Sequence, residues 1–420
     1  MYRKLILSAA LLAGNLLLAQ DLSYTNKVLD TLTSPAMGGR GFVSDGHMKA
    51  ANFISTEYEK AGLKKFGKTY FQAFDMSVNV FPSTMQVKFE GDVILKPDVD
   101  YMVAPEPPTL KGFFNLVLFD STVVANKKKV DKMSQMDYEN EFIVIDDSKV
   151  KDKDQKEFLH SMLSQPWNAR GVIYLTDSKF TWSIAPAQAT FMRIEMTHAA
   201  FKAATKRIYV DITSQVKKVK PQNVIGYVEG SQFPDSFVVI SAHYDHLGKM
   251  GTATYFPGAN DNASGTSMLL NFVQHYSKNP LKYSVVFMAF SAEEIGLVGS
   301  TFYTEHPLFP LKKIKFMVNM DIIGDAGDGI TVVNGAIFTK EYDKLNEIND
   351  AKKYLPNIQK RGEAKNSDHY PFYAKGVKSI YIYGRGKSTA YHDVNDTKAN
   401  LPLKNYTQCF ELIRDFILTL

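Results

Sequence analysis

The chain has 420 residues, 45% of them hydrophobic and 22% charged, with a formal net charge of +5 at pH 7. A length of this order accommodates a large core and suggests two domains. The nearly neutral charge, without a basic cluster interleaved with aromatics, argues against a nucleic-acid partner, and the single cysteine, Cys409, excludes an internal disulfide.

At the N-terminus, Arg3 and Lys4 precede an apolar run over residues 5–19, interrupted only by Ser8 and Asn15. The basic start, the short apolar run and the small Ala19 before Gln20 predict a secretory signal peptide over residues 1–20. The run is short for a membrane span and no cysteine follows it for a lipid anchor. A secreted or periplasmic protein without a stable membrane anchor is expected, with a net charge of +3 once the segment is removed.

Residues 41–62 place Ala50, Ala51, Ile54, Tyr58 and Leu63 on one side and Gly62 near the end, as an amphipathic helix does. Residues 66–96 alternate like strands through Phe71, Phe74, Met76, Val78, Val80 and Phe81. From 97 to 218 the texture changes. Short β-rich runs at 114–119, 142–145, 171–175 and 207–212 are separated by charged linkers such as 146–156, and Lys127-Lys128-Lys129 reads as a solvated turn. This stretch is expected to form a smaller, β-rich α/β domain inserted into the main one, which comprises 21–96 and 219–420.

Beyond residue 220, strands are predicted at 237–241, 284–290, 314–319, 330–333 and 379–383. Helices are predicted at 264–276, 294–304, 339–351, 368–374 and 405–418, the last with Cys409 in its apolar pattern as an inert core residue. Alternation of this kind gives the α/β class: a mostly parallel sheet sandwiched by helices, with ligands at the carboxyl ends of its strands.

Five blocks then end on residue types that bind zinc: Ser241-Ala242-His243-Tyr244-Asp245, Gly258-Ala259-Asn260-Asp261-Asn262, Ser291-Ala292-Glu293-Glu294, Asn319-Met320-Asp321 and Tyr391-His392-Asp393. Three of them follow predicted strands, where fold logic puts a site. His243 and Asp245 have the spacing at which a carboxylate can take the second ring proton of a metal-bound histidine. Asp261 lies in a Gly- and Asn-rich loop, and one carboxylate can bridge two cations; the competing reading is that Asp261 or Asn262 caps the next helix. Glu293 and Glu294 point in different directions, so one can ligate while the other holds a proton; the competing reading is a pair of first-turn glutamates on a helix dipole. Asp321 ends a buried strand, where an acid is costly unless paired or metal-bound. His392 lies in a polar loop with Asp393 and Asp396, where a lone histidine would simply be solvated. His246 reads as a loop residue or one that supports the ligands from behind. Two histidines with bridging and terminal carboxylates suit a pair of divalent metals and hydrolysis.

With these blocks, the Gly39-Arg40-Gly41 region and Ser367-Asp368-His369-Tyr370-Pro371-Phe372, the chain resembles the co-catalytic zinc aminopeptidases. That exopeptidase family also holds the glutaminyl cyclases, the glutamate carboxypeptidases and the transferrin-receptor-like proteins. The resemblance covers about 24–95 and 220–418, and residues 97–218 look like the protease-associated domain often inserted in these enzymes. It implies two Zn²⁺ ions bridged by Asp261, with His392 and Glu294 on one and His243 and Asp321 on the other. It further implies that Glu293 is the general base for a water bridging the zinc ions, that Asp245 orients His243, and that the Asp261–Asn262 peptide is cis. The implied activity is removal of N-terminal residues from peptides with a free N-terminus.

Two places depart from the family pattern. Ala364-Lys365-Asn366 replaces the tyrosine that often precedes Ser-Asp-His and steadies the tetrahedral intermediate, which leaves the oxyanion partner unassigned with Tyr370, Tyr381 and Tyr383 as candidates in the substrate pocket. Tyr383-Gly384-Arg385-Gly386-Lys387 replaces an aromatic, histidine-containing stretch, and Arg385 either favours a carboxylate-bearing substrate or is a solvated loop residue. A glutaminyl cyclase, a carboxypeptidase or dipeptidase on the same centre, and a non-catalytic binding protein are the competing functions. Oligomeric state has no signal in the sequence.

Overall fold

Strands with no polar alternation need cover on both faces, and four such strands form the centre of the larger sheet. In the computed structural model, which describes residues 21–91 and 93–420, Tyr283–Phe290, Phe233–His243, Ile314–Met320 and Ser379–Arg385 lie side by side in that order, all parallel. The expected signal peptide lies outside the described residues. Antiparallel partners flank the centre: Gln222–Val228 and then Phe71–Ala73 on one edge, Gly329–Val333 on the other, with Ile358–Lys360 parallel to Gly329–Val333. The sheet is therefore mixed at its margins and parallel where it matters for the site.

Side-chain alternation sends Val238, Ile240 and Ala242 to one face and Phe237 and Val239 to the other. The first face is covered by the helices Leu22–Leu32, Gly46–Lys60, Gly265–Lys278 and Tyr406–Ile417, through Val28, Ile54, Phe272 and Phe410 among others. The second is covered by Val298–Glu305 and His369–Ala374, through Tyr303 and Phe372. Cys409 is buried in the first of these cores.

A second eight-stranded sheet runs Val93–Ile94, Gln86–Phe89, Arg207–Ile212, Leu110–Phe119, Glu141–Ile145, Gly171–Leu175, Met192–Met196, Tyr101–Val103, with its own apolar cluster. Residues 86–94, read from the sequence with the larger unit, pair here because Gln86–Phe89 docks on Arg207–Ile212. The pairing is non-local, so no local pattern reveals it. Lys127-Lys128-Lys129 opens a short exposed helix, Lys127–Met133, capped by Asn126, where a turn was expected. Among the described residues no helix is long and apolar enough to cross a membrane.

One buried histidine far from the metal-ligand blocks makes stability depend on pH. His275, on Gly265–Lys278, packs edge-on against Phe410 and leaves its Nδ1 buried without a hydrogen-bond partner. Burial, helped by the nearby Arg414 and opposed by Asp415, lowers its pKa to about 4. The unfolded chain, with an ordinary histidine near 6.5, therefore binds a proton between about pH 6.5 and 4 that the folded chain does not. Stability from this group is full above about pH 6.5 and is lost as the pH falls toward 4. Urea unfolding at pH 7 and 4.5 is expected to show wild type losing about 2–3 kcal/mol more than His275→Gln. Parallel losses in the two proteins would refute the assignment.

Candidate metal centre

The carboxyl ends of the parallel strands converge. His243 is the last residue of its strand, Asp321 directly follows Ile314–Met320, and Glu293 and Glu294 follow Tyr283–Phe290 within four residues. Asp261 enters from the loop before Gly265–Lys278 and His392 from the loop after Ser379–Arg385. His243 Nε2 lies 3.1 Å from Asp321 Oδ1 and 3.4 Å from Asp261 Oδ1. His392 Nε2 lies 3.1 Å from both Asp261 Oδ2 and Glu294 Oε2. Asp261 thus divides its two oxygens between two sets, each of one imidazole and one further carboxylate.

These groups fit a pair of divalent cations. Buried carboxylates are costly without compensation, and Asp261, Glu293, Glu294 and Asp321 all border one cavity of about 260 Å³ in which, among the described residues, Arg361 is the only lysine or arginine. The donors, two nitrogens and three carboxylates, are the set that zinc takes.

The charges respond accordingly. Burial would raise Asp261, but hydrogen bonds from His243 and His392 outweigh it and hold its pKa well below the carboxylate range. Glu294 ends at about 2: burial and Asp261 push it up, and His392 and His246 more than offset them. His392 is raised to about 11 against burial, chiefly by Glu294 and Asp261. Glu293 behaves oppositely. Burial, with Asp321, Glu294 and Asp368, pushes it well above the ordinary range despite His243.

The loops that carry these groups are fixed through their backbone. Asp396 accepts from the N–H groups of Asn260 (2.8 Å) and Asp261 (2.9 Å). Asn262 Oδ1 accepts from Gly265 N at 2.8 Å, so Asn262 caps the helix and Asp261 is left for the cavity. The Asp261–Asn262 peptide is cis. Gly258 has φ 60°, and a Cβ there would strike Asp261 O at 2.2 Å. Glu293 and Glu294 do not start a helix: Gly296 and Leu297 take positive φ and the helix begins at Val298. Their N–H groups instead donate to the two oxygens of Asp245, at 3.2 and 3.4 Å.

Arg40 is fully buried beneath the Asp261 loop. It donates to the carbonyls of Tyr244 (2.7 Å), Leu32 (3.1 Å), Pro257 (2.7 Å), Gly258 (2.8 Å) and Asp261 (3.3 Å). Burial lowers its pKa to about 10, opposed by Asp396 and Asp261, so it stays charged at neutral pH. Arg40→Met would leave several buried carbonyls unpaired, at roughly 1–3 kcal/mol each. A loss of at least about 3 kcal/mol in chemical denaturation is expected, with weaker metal retention; a loss under about 1 kcal/mol would refute the role.

The candidates from the sequence divide as follows. His243, Asp261, Glu293, Glu294, Asp321, His392, Tyr381 and Tyr383 line the cavity. Asp245 lies behind it, with its carboxylate 3.8 Å from His243 Nδ1; its main-chain oxygen is nearer, at 3.3 Å. Its side chain therefore serves the glutamate loop more than the histidine. Tyr370 and Arg385 are not among the lining residues, and Arg385 donates to Asp328 O at 3.4 Å. Sequence reasoning missed Ile322, Arg361 and Asn366 in the lining, and Tyr391, which stacks on His392 with ring centres 4.0 Å apart. His246, read from the sequence as a loop residue or a support for the ligands, has a buried ring with Nδ1 2.6 Å from Glu294 Oε1. Asp261, Glu294 and His246 could by themselves hold an ion, and His392 Nε2 approaches the same two carboxylates. The nearness of His246 to His243 in sequence was the one available hint.

Fold and site together define an α/β protein with a two-histidine, three-carboxylate centre at the carboxyl edge of a parallel sheet. Residues 223–417, somewhat less than half of the chain, match the model of Peptidase family M28. The chain is 29% identical over 202 residues to aminopeptidase YwaD of Bacillus subtilis (strain 168), covering 46% of this chain and 43% of the relative. The chain thus spans less than half the length of that relative. Two solved structures share the fold. A zinc aminopeptidase from Bacillus subtilis gives a TM-score of 0.68 at 18% identity, covering 94% of each chain. An aminopeptidase from Aneurinibacillus sp. strain AM-1 gives 0.63 at 20% identity, covering 95% of this chain and 93% of that one.

Proposed function

We propose that this protein is a secreted or periplasmic metallo-aminopeptidase that removes N-terminal residues from peptides, using two zinc ions. The observation that carries the reading is the division of Asp261 between His243 and His392, with Glu293 in the same cavity but in neither donor set. His243 and Asp321 would hold one ion, His392 and Glu294 the other, and Asp261 both. Such a pair supplies Lewis acidity toward a substrate carbonyl and water. The chain's own residues do the rest. Glu293 takes the proton of the attacking water and passes it to the departing amine nitrogen. Asp245 keeps Glu293 and Glu294 apart in their roles by holding their backbone. Tyr381, 4% exposed and in the cavity wall, would donate to the developing oxyanion. The unit built on the second sheet, which includes residues 86–94, acts as an inserted protease-associated-like domain.

The test is a mass-spectrometric digest with the mature protein and zinc, on a peptide with a free N-terminus and its N-acetylated twin. Stepwise loss from the free peptide alone, abolished by chelator, supports the reading. Cleavage of both peptides would replace it with a carboxypeptidase or endopeptidase. Loss of ammonia from an N-terminal glutamine without loss of a residue would make it a cyclase.

A further inference from the structure

We infer that Lys179 and Trp182, carried by the second sheet's polypeptide, are positioning residues for the metal ligand His392. The inference rests on the two-zinc reading. His392 Nδ1 lies 2.8 Å from the carbonyl oxygen of Trp182, and the N–H of Trp182 donates to the carbonyl of His392 at 2.8 Å. The two residues, 210 apart in sequence, form a reciprocal pair. A proton on Nδ1 shared with that carbonyl leaves Nε2 bare and directs it at Asp261 and Glu294. His243 receives its corresponding contact from Asp245 O, two residues away on its own loop. The two ligand histidines are thus held by different parts of the molecule.

Trp182 can act as a fixed point because its indole is anchored. The ring is 4% exposed, stacks on Phe256 with centres 4.8 Å apart, and donates Nε1–H to Val103 O at 2.9 Å. Phe256 is followed by Pro257 and Gly258, the start of the Asp261 loop. Lys179 grips the other side of the His392 loop. Its ammonium donates to Thr389 O at 2.6 Å and Tyr391 O at 3.4 Å and pairs with the Asp393 carboxylate. Asp393 in turn accepts from Asn395 N at 2.6 Å and Tyr391 N at 3.3 Å. The second sheet's segment therefore holds the His392 loop directly and reaches the Asp261 loop only through Phe256, so disturbing it should weaken the ion at His392 and Glu294 more than the other.

The test titrates the metal-depleted full chain with Zn²⁺ against a competing chelator and records the visible spectrum of the Co²⁺-loaded protein. Trp182→Ala is expected to weaken one of the two ions by about 10–100-fold, the range for groups that orient metal ligands. The other ion should be weakened less, and the cobalt spectrum should change. Trp182→Phe, which keeps a ring against Phe256, should recover most of the affinity. Equal weakening of both ions, or none in a folded variant, would overturn the inference. If Trp182→Ala does not fold, Lys179→Met decides: selective weakening supports the inference and wild-type binding at both positions overturns it. A wild-type protein that binds fewer than two ions would instead overturn the two-zinc reading before any variant is compared.

Discussion

Glu293→Gln is expected to lower kcat by about 10²–10⁴-fold, the contribution of a positioned general base, while both metal ions stay bound. The geometry separates the two effects. The glutamine matches the shape of the glutamate but cannot accept the water's proton. Glu293 belongs to neither donor set, so no ion loses a ligand. Its loop is held by Asp245 through backbone N–H groups, which the substitution leaves intact, so Glu294 keeps its place beside His392. Steady-state kinetics with metal analysis on the same preparation gives the answer. Activity within tenfold of wild type, with two ions bound, would remove Glu293 from the base role. Loss of an ion would show that it ligates.

The part of this architecture legible in the sequence is the part that local pattern controls. Strands buried on both faces are largely apolar, and 284–290 and 314–319 could be found on that ground despite Lys315 and Asn319 in the second. Sites sit at the ends of such strands, which made His243, Glu293, Glu294 and Asp321 readable together. What escaped was set by contacts distant in sequence. Gln222–Val228 carries Gln222, Asn223 and Gly226 and is a strand because Tyr283–Phe290 and Phe71–Ala73 lie on either side of it. Gln86–Phe89 belongs to the second sheet only because Arg207–Ile212 is there to receive it. The helix after Glu294 starts late because Gly296 and Leu297 adopt left-handed backbone, a choice that leucine does not announce. Arg361 and Arg385 are equivalent as letters. One reaches the cavity beside Tyr383, whose hydroxyl is 3.2 Å away, and the other is drawn to Asp328.

Asp261→Asn is expected to have the larger consequence for metal binding, reducing the stoichiometry from two zinc ions to at most one and activity by more than about 10²-fold. Asparagine offers one carbonyl oxygen where aspartate offers two charged ones, so it can serve the His243 set or the His392 set but not both. The rest of the loop should not notice the change. Asp396 and Arg40 hold residues 257–261 through main-chain groups, and Asn262 caps the helix through its own side chain. Circular dichroism and the metal-depleted unfolding curve should therefore stay close to wild type while metal analysis changes. That pattern differs from Arg40→Met, in which fold stability falls first and metal retention follows. It differs also from Glu293→Gln, in which turnover falls and both ions remain. Two ions bound to Asp261→Asn with wild-type affinity would mean that the two sets do not share a ligand, and each half of the centre would then need its own complement of donors.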